Sequence, residues 1–175
     1  MSAKKTDNTT LAAIQVSYSH HEIHAGSGYA FTRNATLPLA GDDELLLVTP
    51  TGDKWLHFTF AVTSDDAFEV DFYEGTGLTT PTDLSASIFN KNRNSDKVSI
   101  LTIGHTPVGG AGDGTLIYSF AGGARAQVTT VGHSEEWVLA ADTAYLFRIT
   151  GAQNDVCHWH FEWYEHTNVF PGEVH

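Results

Sequence analysis

Residues 157–166 read CHWHFEWYEH. In an extended chain Trp159, Phe161 and Trp163 fall on one side, and His158, His160, Glu162 and Tyr164 on the other. An unbroken period of two, free of glycine and proline, marks a strand with one apolar and one polar face. The same alternation recurs in residues 54–62, KWLHFTFAV, where Leu56, Phe58, Phe60 and Val62 oppose Trp55, His57, Thr59 and Ala61. Residues 67–75, AFEVDFYEG, repeat it with Phe68, Val70 and Phe72 inward and Glu69, Asp71 and Tyr73 outward.

Shorter signals fill the space between these three. Tyr29, Phe31 and Arg33 open an alternating segment, and Leu45 to Val48 form an apolar run closed by Pro50 and Gly52. Ser85–Phe89, Val98–Ile103, Leu116–Phe120 and Ala126–Val131 each read as a short strand. WVLAADTAYLFRITG (residues 137–151) reads as two strands joined at Ala141–Asp142. No sustained helical period occurs. About ten strands in one unit predict an all-β, antiparallel β-sandwich of the jelly-roll kind. Lys91–Asp96 and the glycine-rich Gly104–Gly114 read as excursions at its ends.

Composition sets the outer limits. The 175 residues suit one domain, 41% of them are hydrophobic and 11% aromatic, enough to bury a core. The formal charge of −12 repels phosphate backbones and anionic lipid, so neither nucleic acid nor a membrane is an expected partner. The single cysteine, Cys157, forms no internal disulfide and reads as a small buried apolar side chain. Met1–Thr10 is polar and Leu11–Val16 too short for a signal sequence. Residues 1–19 read as an N-terminal arm whose LAAIQVSYS stretch is suited to one strand or one helical turn, and 20–175 as the sandwich domain.

Chemistry is hard to find. Of ten histidines, His20, His21 and His24 cluster early and His158, His160 and His166 late. His158 and His160 share a strand face, and with Glu165 they resemble the first half of a cupin metal motif. The likeness is incomplete: Gly151 stands one position too early, the second motif is missing, and Glu165 falls on the opposite face. The ordinary reading is histidines packed on a half-buried sheet or at a subunit contact. No serine lies in a nucleophile elbow and no helix N-terminus activates Cys157. Asp65–Asp66 and Asp42–Asp43–Glu44 read as solvated turn residues. The glycine run 109–114 lacks the lysine of a phosphate loop. Neither a catalytic residue nor a cofactor is expected. FNKNRNS (residues 89–95) is dense in asparagine and carries two cations, which suits either a self-capped turn or a docking loop.

Taken together, HHEIHAGS (20–27), KWLH (54–57), DFYEG (71–75), FNKNRNS, EWVLAADTAYLFRIT (136–150) and WYEHT (163–167) resemble a family of small virion structural proteins of tailed bacteriophages, in the same order from His20 to Thr167. The resemblance implies a jelly-roll-like cement (decoration) protein, homotrimeric, on the outside of the assembled capsid, made in the host cytoplasm and partnered by the major capsid protein. Contacts are then expected from Leu11, Ile14, Val16, Tyr18, His20, His21 and His24, and from the loop residues Lys91, Asn92, Arg93 and Asn94. The competing expectation is a tail module that binds a host glycan on exposed aromatics such as Tyr73 and Tyr118.

Overall fold

The computed structural model describes residues 17–39, 41–79, 82–108, 112–123 and 129–167. Among them the chain forms one helix, α1 (Tyr18–His24), and eleven strands: β1 (Gly28–Thr36), β2 (Asp42–Val48), β3 (Lys54–Ser64), β4 (Phe68–Glu74), β5 (Thr82–Asp83), β6 (Phe89–Asn90), β7 (Thr102–His105), β8 (Thr115–Gly122), β9 (Thr129–Leu139), β10 (Ala144–Gly151) and β11 (Val156–Thr167). All pairings between named strands are antiparallel. One sheet runs β6-β1-β11-β3-β9 and the other β5-β7-β2-β10-β4-β8.

Setting aside the two-residue strands and β7, the orders become β1-β11-β3-β9 facing β2-β10-β4-β8. Successive strands alternate between sheets from β1 to β4 and again from β8 to β11, which is the double Greek-key winding of a jelly roll. The expected fold is therefore the observed one. Residues 75–114, between β4 and β8, are an insertion that returns to the far side of the sandwich. There β6 pairs with β1, and β7 pairs with β2, so both sheets are extended along that edge.

The three long alternating strands behave as read. Along β11 Cys157, Trp159, Phe161 and Trp163 are buried, and along β3 so are Leu56, Phe58, Phe60 and Val62. Phe147 of β10 sits among them, stacked on Phe72 at 4.2 Å and packed on Phe161, Phe60 and Phe58 at 4.9, 5.0 and 5.7 Å between ring centres. Offset and edge contacts of this kind add to the large area such rings bury.

Four expectations give way. Tyr18–His24 is helical: Ser17 caps it by accepting from the His20 amide at 3.3 Å, and the Ala25 amide closes it on the His21 carbonyl at 2.9 Å. The helix begins two residues inside the stretch read as arm. Ser85–Ser87 is a 3-10 turn rather than a strand, because Asp83 Oδ1 captures the Ser85 amide at 2.8 Å and competes with a ladder. The ladder expected from Val98 starts only at Thr102, since the preceding backbone bonds to side chains described below. Asp42–Asp43–Glu44 opens β2 instead of forming a turn.

Phe147 has no exposed surface and contacts rings from both sheets. Phe147→Ala is expected to cost about 3–5 kcal/mol, read as a lower urea midpoint at an unchanged slope.

Candidate functional site

Glu165 is the fifth inward position of β11 and its side chain has 0% exposure. Its Oε1 accepts from the Ser99 hydroxyl at 2.6 Å, the Ile100 amide at 3.0 Å and the Trp163 indole at 3.2 Å. Its Oε2 makes no hydrogen bond among the described residues and faces the Lys54 ammonium at 3.5 Å. The carboxylate therefore draws residues 99–101 of the insertion onto β11, and this displaces the strand expected there. Tyr29 adds a second tie, donating to the Val98 carbonyl at 3.0 Å. Burial, then the nearby Glu165 charge, pushes the Tyr29 phenol up to about 12.

The asparagine-rich loop is a third tie, and each member has a local task. Asn90 donates to the Gly26 carbonyl at 2.8 Å and to Lys97 at 3.0 Å, while Asn92 donates to His24 at 3.0 Å. Lys91 pairs with Glu162 at 2.9 Å. The guanidinium of Arg93 lies 5.7 Å above the ring of Phe89, itself 52% exposed, and Asn94 bonds its own amide to Asn92 Oδ1 at 3.1 Å. The asparagines close the turn, as the self-capped reading expects, and Arg93 is exposed beside it.

Outside this end of the sheet, Glu136 of β9 bonds His57 of β3 and accepts from the Tyr164 hydroxyl of β11 at 3.0 Å. His57 continues to His166, Nε2 to Nε2, at 2.8 Å. Tyr164 stacks on His57 at 4.6 Å, and Tyr18 of α1 packs on His166 at 5.2 Å and on Tyr164 at 5.7 Å. A shallow depression of about 250 Å³ lies beside them, bordered by Ser19, Ile23, Lys91, Glu136 and Glu162. Burial, with the Glu136 bond second, holds the Tyr164 phenol well above its ordinary value. His57, Glu136 and Tyr164 are absent from the residues expected at a site. KWLH and WYEHT both carry outward histidines, but only the β3–β11 register, with Trp55 opposite His166, brings them together.

The residues singled out from sequence divide as follows. Leu11, Ile14 and Val16 lie outside the described residues. Tyr18 and His21 turn toward the outer-face network, with their rings stacked at 6.2 Å, whereas His20 and His24 meet each other in solvent with their Nε2 atoms 3.0 Å apart. The cupin-like trio does not assemble: His158 bonds Asn34, His160 approaches Glu162 at 3.4 Å, and Glu165 points into the core. No group of three or more metal-ligating side chains occurs among the described residues. The expected sugar platforms are not open either. Tyr73 lies under the Arg148 guanidinium at 5.6 Å and donates to Asp71, and Tyr118 packs against Phe60 and Trp137.

At the opposite rim Asp43 is not solvated. It pairs with Arg33 and accepts from the Trp159 indole at 2.9 Å. A recess of about 580 Å³ opens there, with His105 on its wall. Burial, then the Arg33 charge, lowers the His105 imidazole against the opposing pull of Asp43. Cys157 is fully buried next to this rim, and burial followed by the Asp43 charge pushes its thiol up to about 11.

No protein-family model, curated protein or solved structure matches the chain. Among the described residues no helix is long and apolar enough to cross a membrane.

Two outcomes follow from these geometries. Glu165→Ala leaves three donors facing an apolar pocket and is expected to cost about 2–4 kcal/mol, with new proteolytic cleavage between residues 91 and 101. Cys157 is expected to resist a thiol reagent at neutral pH until urea unfolds the chain; rapid labelling of the native protein would contradict its placement.

Proposed function

We propose that the protein is a non-catalytic virion component that docks through the α1 end of the sandwich onto the outside of an assembled phage capsid. The observation that carries this reading is spatial convergence. The six segments on which the family likeness rests are scattered over almost 150 residues of chain, yet each has a part at one end of the sandwich. Asn92 ties FNKNRNS to HHEIH, and Lys91 ties it to Glu162, next to WYEHT. Ser27 accepts from the Glu165 amide at 2.9 Å, KWLH meets WYEHT through the histidine pair, and Glu136 opens EWVLAADT. DFYEG joins at Glu74, which accepts from the Tyr145 hydroxyl at 2.9 Å.

The composition of this end suits a protein partner. Trp55, Tyr18 and Phe89 are 42%, 42% and 52% exposed, and Arg93 lies over the ring of Phe89. Aromatic side chains and arginine are the usual anchors of protein interfaces. On a chain of charge −12 an outward arginine also favours an acidic counterpart. In this reading the protein acts as a homotrimer whose partner is the major capsid protein. The arm expected over residues 1–19, which would add avidity at a neighbouring subunit, lies up to residue 16 outside the described residues. Binding the closed lattice and not its free subunits stabilises the shell by mass action.

Cosedimentation with undecorated capsids tests the proposal. The wild-type chain is expected in the pellet with capsids and in the supernatant with free coat subunits. Arg93→Glu is expected to weaken capsid binding roughly 10- to 100-fold at unchanged thermal stability; Lys91→Glu is a poorer probe because it also sets two carboxylates against each other at Glu162. Wild-type protein that stays in the supernatant with capsids would overturn the decoration role.

A further inference from the structure

Two histidines stand four positions apart on α1, a spacing that places side chains on one face of a helix. The Nε2 atoms of His20 and His24 lie 3.0 Å apart, their ring centres are 4.6 Å apart, and both residues are exposed. In the free chain that contact is a hydrogen bond from one ring to the other. It also has the dimensions of a chelate. Two nitrogens held at about 2.05 Å from one ion are about 2.9 Å apart at a right angle and about 3.3 Å apart in a tetrahedron. The observed separation falls between those values.

We propose that His20 and His24 together bind a divalent transition-metal ion of the class that imidazole suits, such as zinc. The backbone beneath both rings is held before any ion arrives. The Ser17 hydroxyl accepts from the His20 amide at 3.3 Å, and the His24 carbonyl accepts from Asn92 at 3.0 Å. The next two carbonyls, of Ala25 and Gly26, accept from Lys97 at 2.9 Å and from Asn90 at 2.8 Å. A helix of seven residues is marginal by itself. With both ends tied to the sheet and the asparagine loop, little ordering is left for the ion to impose.

The neighbouring histidines do not compete for the same ion. His21 leaves this face of the helix, stacked on Tyr18 at 6.2 Å and bonded to Glu22 at 3.2 Å. His158 and His160 of β11 are engaged by Asn34 and Glu162. His57 and His166 also approach closely, but Tyr164 stacks on His57 and Tyr18 packs on His166, which leaves little room for an ion and its waters. The described residues bring no third ligand to His20 and His24. The remaining positions of the ion are therefore filled from solvent, as at an open site.

Calorimetric titration of the untagged, full-length chain with zinc chloride tests the site. One ion per chain is expected, with a dissociation constant in the micromolar range. His20→Ala and His24→Ala are each expected to weaken binding at least roughly tenfold, because one imidazole alone loses the gain from a second ligand held close. The double variant His24→Ala, Ala25→His keeps the histidine count but turns the second ring by about 100° around the helix, and the same loss is expected. At zinc ten times the dissociation constant, the α1 amides of the wild-type chain are expected to exchange about tenfold slower, since opening the helix parts the ligands. A smaller loss of affinity in any of the three variants means an adventitious ion only and overturns the proposal. So does a wild-type chain that takes up no zinc, or whose α1 exchange is indifferent to it. No capsid enters the experiment, so its failure leaves the docking reading untouched, and the reverse holds.

Discussion

Glu165 continues the inward file Cys157–Trp159–Phe161–Trp163 and so places a carboxylate where the alternation calls for an apolar side chain. A charge there is tolerable only if its lone pairs are used, and three donors use those of one oxygen while Lys54 faces the other. Two of those donors belong to the insertion. The need to satisfy one buried anion thus decides where some forty residues between β4 and β8 come to rest. With residues 99–101 drawn inward, β6 and its loop are positioned beside β1, and the carbonyls of His24, Ala25 and Gly26 at the end of α1 gain donors from Asn92, Lys97 and Asn90.

Local alternation made much of the frame legible. β3, β4 and β11 each keep a strict period of two, and the turn at Ala141–Asp142 is marked by a residue that tolerates the left-handed backbone it adopts, φ 52° at Asp142. The helix was not legible because Tyr18–His24 is almost wholly polar and shows no apolar stripe; its cap and its seat on β11 make it helical. Val98–Ile103 misled in the opposite sense. Its apolar residues look like a strand, but Val98 is 81% exposed and the ladder is interrupted by bonds to Glu165.

Sites were less legible than strands for a physical reason. His57 and His166 are 109 positions apart, Lys91 and Glu162 are 71 apart, and Arg33 and Trp159, opposite each other across β1 and β11, share Asp43 of β2. Such contacts depend on register between strands that a sequence does not order. The histidine pair at 158 and 160 did share a face as read. Parity alone excluded Glu165 from it, and the same parity put that carboxylate into the core.

The two edges of the sandwich are treated differently. The insertion lengthens both sheets beside β1 and β2, while β8 and β9 end their sheets across from it. Each of these edge strands carries extra residues against its neighbour: one in β8 opposite Phe72–Tyr73, and two in β9 opposite Phe58–Phe60. Such irregularities twist an edge and spoil its match to a straight incoming strand. In a crowded cell, a straight open edge strand exposes a β-sandwich to runaway strand-to-strand polymerisation. Kinked borders of this kind let neighbours crowd together without being stitched into a fibril.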